Sequence, residues 1–432
     1  MISESIEYRG EWFFPLKRDV GFSGTLKLQK ENRVLEIECP LDELFKIFFP
    51  NKKNVSISEL SRIKIDLILG NTFNGEITLF NCIGSIKNLT PTSLMVFYPE
   101  VVFLGVHFYE TDNIFFKKAK ITYNNIDEWT NIHGFKINGI TNNEVNVAYR
   151  PPSPINLFEN NKVKIYIDFF RNGPTLSRIQ KEILIKQETV LIIEAINKIT
   201  FSELIEIILN LRNFFVFAML GPTNIVKIDA ESDSKTFKFD EQEDRLFYSN
   251  ISIIFRNDYL KNTVTLDHND MLFTIHETGF NITTYVSNWL SNNSIINPIF
   301  NLFCRAIYFY DLYLPEQLRL LVIALDSSYK RMNDKSRIKY DAIIKNVLRN
   351  YPNLFLKDFL ENQTVEEFSS KGAKLRNKLL HADIDIETIF LQSEIIYFRN
   401  KFATLIIMIL MEYIGFTYEE IYQLLKRRRI FK

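Results

Sequence analysis

The residues best suited to chemistry in this sequence lie in one stretch near the C-terminus, 371-KGAKLRNKLLHADID-385. Arg376 and Asn377 are adjacent there, and His381 follows. Cleaving RNA without a metal requires a base near the 2′-hydroxyl, a cation on the phosphate and an acid for the leaving 5′-oxygen. Histidine can act as base or acid near neutral pH, and arginine offers a planar fork of donors to phosphate oxygens. Asparagine can orient the phosphate or the imidazole by hydrogen bonding.

A helix over residues 363–380 is predicted to carry this motif, with His381 at its last turn. Helical spacing defines a core stripe made of Val365, Phe368, Gly372, Leu375 and Leu379. Asn377 and His381 are four residues apart and lie one above the other, on the side away from that stripe. Arg376 lies between the two faces, so its long side chain can swing toward either. The asparagine and the histidine are therefore expected to face solvent or a partner surface.

The motif by itself also allows a purely structural interpretation, because chance alone can place an arginine and a histidine at this spacing. In that interpretation Arg376 pairs with Asp383 or Asp385, and His381 ends the helix favourably. Three lysines flank the motif, namely Lys371, Lys374 and Lys378. They could steer an RNA backbone, or they could form an ordinary solvated helix face.

Composition indicates a folded protein without a strong overall charge. Apolar residues make up 46% of the 432 residues, as is typical of a folded protein. The formal net charge is zero, so any contact with nucleic acid must come from a local basic patch. The three cysteines are far apart and form neither a disulfide framework nor a metal-binding spacing. No secretory signal opens the chain, and the longest apolar run, 402–411, is too short to span a bilayer. These features predict a cytoplasmic protein that does not enter membranes.

The first half of the chain alternates apolar and polar residues, which predicts strands of a sandwich or a barrel-like sheet. The predicted strands are 24–29, 33–39, 75–82, 94–108, 117–124, 162–170 and 182–195, with a hairpin over 134–150 that turns at an Asn-Asn pair. A helix over 201–220 follows, for which Ser202 is the expected cap. A short β pair is predicted at 235–240 and 245–255.

From about residue 281 onward the apolar residues recur at three- and four-residue steps, which predicts helices. Pro298 and Pro315 fit the first turns of two of them, and Gly415 fits a C-cap. The predicted helices are 283–290, 298–314, 315–332, 336–350, 363–380, 386–415 and 417–429. The basic ending, 426–432, is interpreted as a solvated tail, with RNA contact as the alternative.

Other combinations of polar residues give weaker signals. The stretch 266–277 holds two histidines and three acidic residues, namely His268, His276, Asp267, Asp270 and Glu277. Their spacing matches no known ligand motif, so a polar loop is favoured over a metal site. No phosphate-cradling glycine loop and no G-x-S-x-G elbow occur in the sequence. We therefore predict no metal and no cofactor.

The helical region resembles the HEPN (higher eukaryote and prokaryote nucleotide-binding) superfamily, whose ribonucleases carry Arg-x4-6-His, most often with Asn after the Arg. Arg376, Asn377 and His381 match all three positions. The stretch 320-LLVIALDSSYKR-331 looks like the preceding family helix, with Asp326 where the family more often has Glu. That shorter side chain puts the reach of a supporting carboxylate in question. The resemblance implies metal-independent RNA cleavage by a dimer in which two such helices face each other.

The N-terminal half resembles the ApeA N-terminal domain. The resemblance rests on 8-YRGEWFFP-15, 21-GFSGTLKL-28, 75-GEITLFNCIGS-85, 101-VVFLGVHF-108 and 126-IDEWTN-131. It implies an anti-phage abortive-infection protein in which a β-rich sensor or substrate domain is joined to a HEPN nuclease. Several HEPN relatives cut tRNA in the anticodon loop, so tRNA is one expected substrate.

These observations predict an α+β protein, with a β-rich domain followed by an all-α HEPN helical bundle. The predicted segments are a β-rich domain over 1–200, a connecting region over 201–280 and a helical nuclease domain over 281–432. His381 is the expected general acid/base, Arg376 the cation on the phosphate, Asn377 the orienting group and Asp326 the supporting carboxylate. The expected partners are RNA, a second copy or higher homo-oligomer, and a phage-derived trigger.

Two interpretations from other classes compete with the nuclease. One is a catalytically silent HEPN interaction module that binds RNA, a nucleotide or a protein. The other is a carbohydrate-binding β domain on a helical scaffold, which has only fold-level analogy behind it.

Overall fold

The structure is a computed structural model of the 432-residue chain. It describes residues 5–15, 17–29, 32–50, 55–88, 90–138, 145–174, 183–238, 246–255, 265–308, 312–333, 338–361, 363–381 and 391–428. The chain forms two compact units whose segments alternate along the sequence. The first unit comprises Met1–Asn124, Ser153–Glu206 and Asn224–Lys261. The second comprises Asn125–Pro152, Ile207–Thr223 and Asn262–Lys432.

Strands dominate the first unit, in agreement with the alternating sequence. In chain order they are β1 Ile6–Phe14, β2 Lys17–Leu28, β3 Arg33–Pro40, β4 Ile63–Thr72, β5 Gly75–Ile86, β6 Thr92–Leu104, β7 Phe115–Tyr123, β8 Phe135–Asn138, β9 Asn146–Tyr149, β10 Ile155–Glu159, β11 Val163–Asn172, β12 Lys186–Thr200, β13 Ile225–Glu231, β14 Thr236–Phe237, β15 Phe247–Tyr248 and β16 Ile251–Phe255. Of these, β8 and β9 belong to the second unit and pair with each other as the predicted hairpin. The predicted Asn-Asn turn between them lies outside the described residues.

One large antiparallel sheet contains a closed barrel. Its strand order is β10-β11-β12-β7-β13-β16-β6-β3-β2-β1-β4-β5, and β5 also pairs with β6. The six strands from β6 to β5 therefore close on themselves, and the other six extend the sheet from β6. Strand β6 serves both parts, because its residues 92–97 pair with β3 and its residues 101–104 pair with β16.

Large apolar side chains fill the barrel, and glycines make room for the largest of them. Trp12 on β1 is fully buried and stands opposite Gly70 on β4. A Cβ at Gly70 would lie 2.4 Å from the Trp12 ring, so only glycine fits there without displacing the indole. Phe97 on β6 makes the same demand of Gly84 on β5. Trp12 is thus one of the core residues of the barrel.

Helices make up most of the second unit, while α1, α2 and the first residues of α4 belong to the first. In chain order they are α1 Leu41–Phe48, α2 Ile57–Ser61, α3 Ile126–Thr130, α4 Phe201–Met219, α5 Ile275–Thr278, α6 Ile282–Ser291, α7 Asn293–Tyr308, α8 Leu314–Met332, α9 Tyr340–Arg349, α10 Asn353–Leu360, α11 Val365–His381, α12 Gln392–Ile414 and α13 Tyr418–Arg427. A β-rich N-terminal region followed by a helical C-terminal region is the fold class that the sequence predicts. That prediction is confirmed.

Of the four cap and first-turn residues that the sequence predicts, two differ from the structure and two agree with it. Helix α7 begins at Asn293, so Pro298 lies in its interior; burial of the neighbouring Ile296 and Ile299 favours the longer helix despite the lost hydrogen bond. Helix α4 is capped by Thr200 and not by Ser202, because the amide of Glu203 donates to the Thr200 hydroxyl (3.2 Å) and the Thr200 amide donates to the Glu203 carboxylate (3.0 Å). As predicted, Pro315 opens α8 and Gly415 ends α12 with a positive φ of 111°.

Within the described part of the chain, none of the helices combines the length and apolar character that a membrane span needs.

Candidate active site

Helix α11, which carries the motif, begins at a capping box. The Thr364 amide donates to the Glu367 carboxylate (2.9 Å), and the Glu367 amide donates to the Thr364 hydroxyl (3.2 Å). Two of the amides that lack an intrahelical partner are thereby satisfied. The bond from the Thr364 backbone is the main cause that holds the pKa of Glu367 below its usual value, and Lys371 contributes to the same shift.

The core face of α11 agrees with the predicted stripe. Phe368, Gly372, Leu375 and Leu379 are buried, while Val365 is half-buried. Helix α11 packs against α9 at its glycine, because a Cβ on Gly372 would lie 2.9 Å from Cδ1 of Ile344. The glycine therefore permits a close approach of the two helices.

Arg376 lies at the border between the buried and the exposed side of α11. Its side chain is half-buried, and its Nη1 donates to Oδ1 of the neighbouring Asn377 at 3.1 Å. Its Nε is buried and has no hydrogen-bond partner in the described structure. Asn377 is exposed, as predicted. A guanidinium has five N–H donors, so Arg376 has more donors than its bond to Asn377 uses.

His381 is the last residue of α11, as the predicted last turn requires. Its side chain lies outside the described residues, and so do Asp383 and Asp385. That His381 and Arg376 act at one site therefore stays a prediction. The alternative pairing of Arg376 with Asp383 or Asp385 also stays a prediction.

Asp326 lies on α8, which contacts α11. Its carboxylate is 23% exposed and accepts a hydrogen bond from Lys330 Nζ at 2.7 Å. It forms no ion pair with Arg376. Both charged groups nevertheless influence the pKa of Tyr340. Burial raises the pKa of Tyr340 well above its usual value, the Asp326 carboxylate raises it further, and the Arg376 guanidinium opposes both.

Tyr340 is a residue of this site that the sequence did not reveal. It opens α9, and only 7% of it is exposed. Its hydroxyl is buried without a hydrogen-bond partner among the described residues. An aromatic residue at a helix start is typical of a hydrophobic core, so nothing in the sequence pattern distinguishes Tyr340 from a packing residue.

The three flanking lysines, Lys371, Lys374 and Lys378, are exposed on α11. Their positions differ by three and four residues, so they follow one flank of the helix. They lie beside Asn377 and could meet a phosphate backbone that reaches the motif.

The histidines of the stretch 266–277 contact the protein itself. His276 Nε2 lies 3.2 Å from the Asn131 carbonyl oxygen, and Glu277 accepts a hydrogen bond from Arg428 Nη2 at 3.0 Å. His268 lies 3.4 Å from the Asp267 carboxylate. Where the structure describes the chain, it brings no three His, Cys, Asp or Glu side chains together in a way that could hold a metal ion.

A comparison with protein families finds a match that covers most of the chain. A family model described as ApeA N-terminal domain 1 matches residues 7–289, which is more than half of the 432 residues. The match includes the large sheet, the β8–β9 hairpin, α4 and most of α6, and it ends before α7. No curated protein and no solved structure matches the chain.

Proposed function

Because this chain belongs to the ApeA N-terminal domain 1 family, we propose that it is a metal-independent endoribonuclease that acts in anti-phage defence by abortive infection. The family match supports an ApeA-type protein. The nuclease part of the proposal rests on the helical region beyond the match, which resembles the HEPN superfamily. The observation that carries it is Arg376, whose buried Nε has no hydrogen-bond partner among the described residues and which lies beside the exposed Asn377 on the helix that ends at His381.

The proposed reaction needs only side chains. A base removes the proton of the RNA 2′-hydroxyl, and the 2′-oxygen attacks the adjacent phosphorus. The bond to the 5′-oxygen breaks, and that oxygen takes a proton from an acid, which leaves a cyclic phosphate and a free 5′-hydroxyl. His381 is the proposed general acid/base, and Arg376 stabilises the charge that builds up on the phosphate. Asn377 orients the phosphate, and Asp326 supports the site as a carboxylate.

The proposed substrate is RNA, with a tRNA anticodon loop as one candidate. Lys371, Lys374 and Lys378 would attract its backbone, because the chain has no net charge to do so globally. A second copy of the helical region would complete the site through facing α11 helices. The β-rich unit would sense a phage-derived trigger or hold the substrate.

RNA cleavage in EDTA tests the proposal directly. Wild type should cut RNA, while Arg376→Ala and His381→Ala should each lower the rate by about 10²–10⁴-fold, because each removes a group that acts in the transition state. Arg305→Ala and His268→Ala are matched controls, since both residues are exposed in the same unit and lie outside α8, α9 and α11. Equal cleavage by wild type and both motif variants would overturn the assignment.

A cellular experiment separates the nuclease from a silent interaction module. Expression of the wild type should slow growth and create new RNA 5′ ends, which sequencing can map to the cut site. Both effects should vanish with His381→Ala and persist with His268→Ala. Growth inhibition that persists with His381→Ala, without new 5′ ends, would favour a binding module.

A further inference from the structure

Three aromatic side chains and one arginine form a ladder at the surface of the first unit. The ring of His107 makes edge-to-face contacts with Phe13 and with Tyr109, at 5.5 Å and 5.9 Å between ring centres. The guanidinium of Arg18 lies over the face of Tyr109, 4.2 Å from the ring centre. With Arg18 in place, 46% of Tyr109 is still exposed. The ladder therefore ends in an aromatic side chain that a partner can reach.

Buried contacts hold the backbone beneath the ladder. The Thr78 hydroxyl on β5 donates to the Val106 carbonyl (2.8 Å) and accepts from the Phe108 amide (2.9 Å). Val106 and Phe108 are buried, whereas His107 and Tyr109, which alternate with them, lie toward the surface. An aromatic group that is fixed before a partner arrives loses little freedom on binding.

A hydrogen bond to the barrel fixes the middle ring of the ladder. Nε2 of His107 lies 3.0 Å from the carbonyl oxygen of Gly70. A carbonyl oxygen only accepts, so Nε2 carries the proton and donates it. Gly70 is the residue on β4 that makes room for Trp12, so the ladder is attached to the packed interior of the barrel.

The charges beside the ladder indicate which partner it suits. Glu110 directly follows the ladder in the chain, and Asp112 lies in the short 3₁₀ helix that comes next. Both are exposed, and their hydrogen-bond partners among the described residues are the neutral side chains of Asn113 and Thr111. Two carboxylates therefore stand beside the one guanidinium of the ladder. This excess of negative charge repels an RNA backbone and attracts a cation.

Aromatic faces and carboxylates are the two kinds of group that bind guanidinium and ammonium ions. Tyr109 already makes the first kind of contact with Arg18. We propose that the ladder and its two carboxylates form a docking surface for a basic protein segment, whose arginine or lysine side chains stack on Tyr109 and pair with Glu110 and Asp112. Binding at this docking surface does not rest on the proposed ribonuclease activity. Its use as the site where a phage-derived trigger is sensed does.

A dye-labelled peptide of alternating arginine and glycine residues tests the docking surface, with fluorescence anisotropy as the readout. The full chain should bind the peptide, and Tyr109→Ala should weaken binding by about 10-fold or more, since a few aromatic anchors dominate an interface. Tyr109→Phe keeps the ring and should bind as wild type does. Tyr98→Ala is the matched control, because Tyr98 is 49% exposed on β6 of the same unit. No binding by wild type, or unchanged affinity in Tyr109→Ala, would overturn the proposal.

A charge-removing variant tests the two carboxylates. Glu110→Gln combined with Asp112→Asn keeps the side-chain shapes and should weaken peptide binding by about 3–10-fold at low salt. The difference from wild type should shrink as salt is added, because salt screens exposed charges. Glu38→Gln combined with Glu100→Gln removes two exposed charges elsewhere in the same unit and should have little effect. Equal losses in the two double variants would show that only net charge matters, which contradicts a defined docking surface.

Other occupants of the docking surface would give different results. Single-stranded oligouridylate whose affinity falls in Tyr109→Ala would assign the surface to nucleic acid. Self-association of the wild type in sedimentation, abolished by Tyr109→Ala, would assign it to a second copy. Either result would overturn the proposal. A wild type that binds the peptide through Tyr109 and cuts no RNA would overturn the proposed function alone.

Discussion

At the scale of single residues, Lys401 shows how the helical unit keeps a charge inside. Only 5% of its side chain is exposed, yet its Nζ lies 3.1 Å from Glu361 Oε1, and Glu361 is 57% exposed. The same Nζ lies 5.0 Å from the centre of the Phe359 ring and 5.2 Å from that of Tyr397. A solvated carboxylate and two ring faces thus stabilise a cation whose aliphatic stem fills the core.

Two substitutions separate the charge of Lys401 from its stem. Lys401→Met keeps an apolar side chain of similar length, and the partner left behind is solvated, so the free energy of unfolding should stay within about 1 kcal/mol of wild type. Lys401→Ala removes the stem as well and should lower it by about 2–4 kcal/mol. Urea unfolding of both variants measures the difference. Equal losses in the two variants would show that the charge, and not the packed stem, provides the stability.

At the scale of elements, the first turn of α11 is stabilised by a capping box. The capping box of Thr364 and Glu367 satisfies amides that would otherwise be unpaired. The same bonds hold the pKa of Glu367 below its unfolded value, so the charged carboxylate stabilises the folded state. This contribution is fully present above the unfolded pKa and is lost as the pH falls through the folded pKa.

The pH dependence of that cap can be isolated with Glu367→Gln, which keeps a hydrogen-bond acceptor and removes the charge. At neutral pH the variant should have a lower urea midpoint than wild type. The gap between them should close as the pH falls below the usual range of a glutamate, because Glu367 is then protonated in wild type as well. Glu366→Gln, on the same turn but without the box, is the control. A gap that is constant with pH would contradict the assigned cause.

The periodicity of apolar residues predicts secondary-structure elements well, but it predicts the contacts between different elements poorly. The buried stripe of α11 follows from residues that recur every three or four positions, so the sequence predicts it. The influence of Asp326 and Arg376 on the pKa of Tyr340 depends on how three helices cross, which no local pattern encodes. Strand β4 is absent from the predicted strands, because residues 67–70 are buried on both faces and so break the alternation on which the prediction relies.

At the scale of the whole molecule, the first unit depends on a barrel whose closure is non-local. The alternating sequence leaves sandwich and barrel open, because both bury one face of each strand. The six strands close into a barrel because β5 pairs with β6 and β1 pairs with β4. Trp12 and Gly70 form one of the cross-strand pairs between β1 and β4, where the indole occupies the space that a side chain at Gly70 would need.

Crowding that pair should loosen the barrel. Gly70→Ala puts a methyl group into the Trp12 ring and should lower the free energy of unfolding by about 1–3 kcal/mol. Trp12→Phe in the same chain should recover part of the loss, since the smaller ring leaves room for the methyl group. Urea unfolding, with hydrogen exchange of β1 and β4, measures both effects. Strictly additive losses in the double variant would show that the two residues do not compete for space.

Strand β6 also has a consequence for how the chain is made. Every strand of the barrel lies within the first 104 residues, whereas β16, the strand beside β6 in the open part of the sheet, comes about 150 residues later. A ribosome delivers the N-terminal segments first, so the barrel can close while the rest is still being synthesised. The open part of the sheet joins β6 through β16, so that part attaches to the barrel only once β16 has been made.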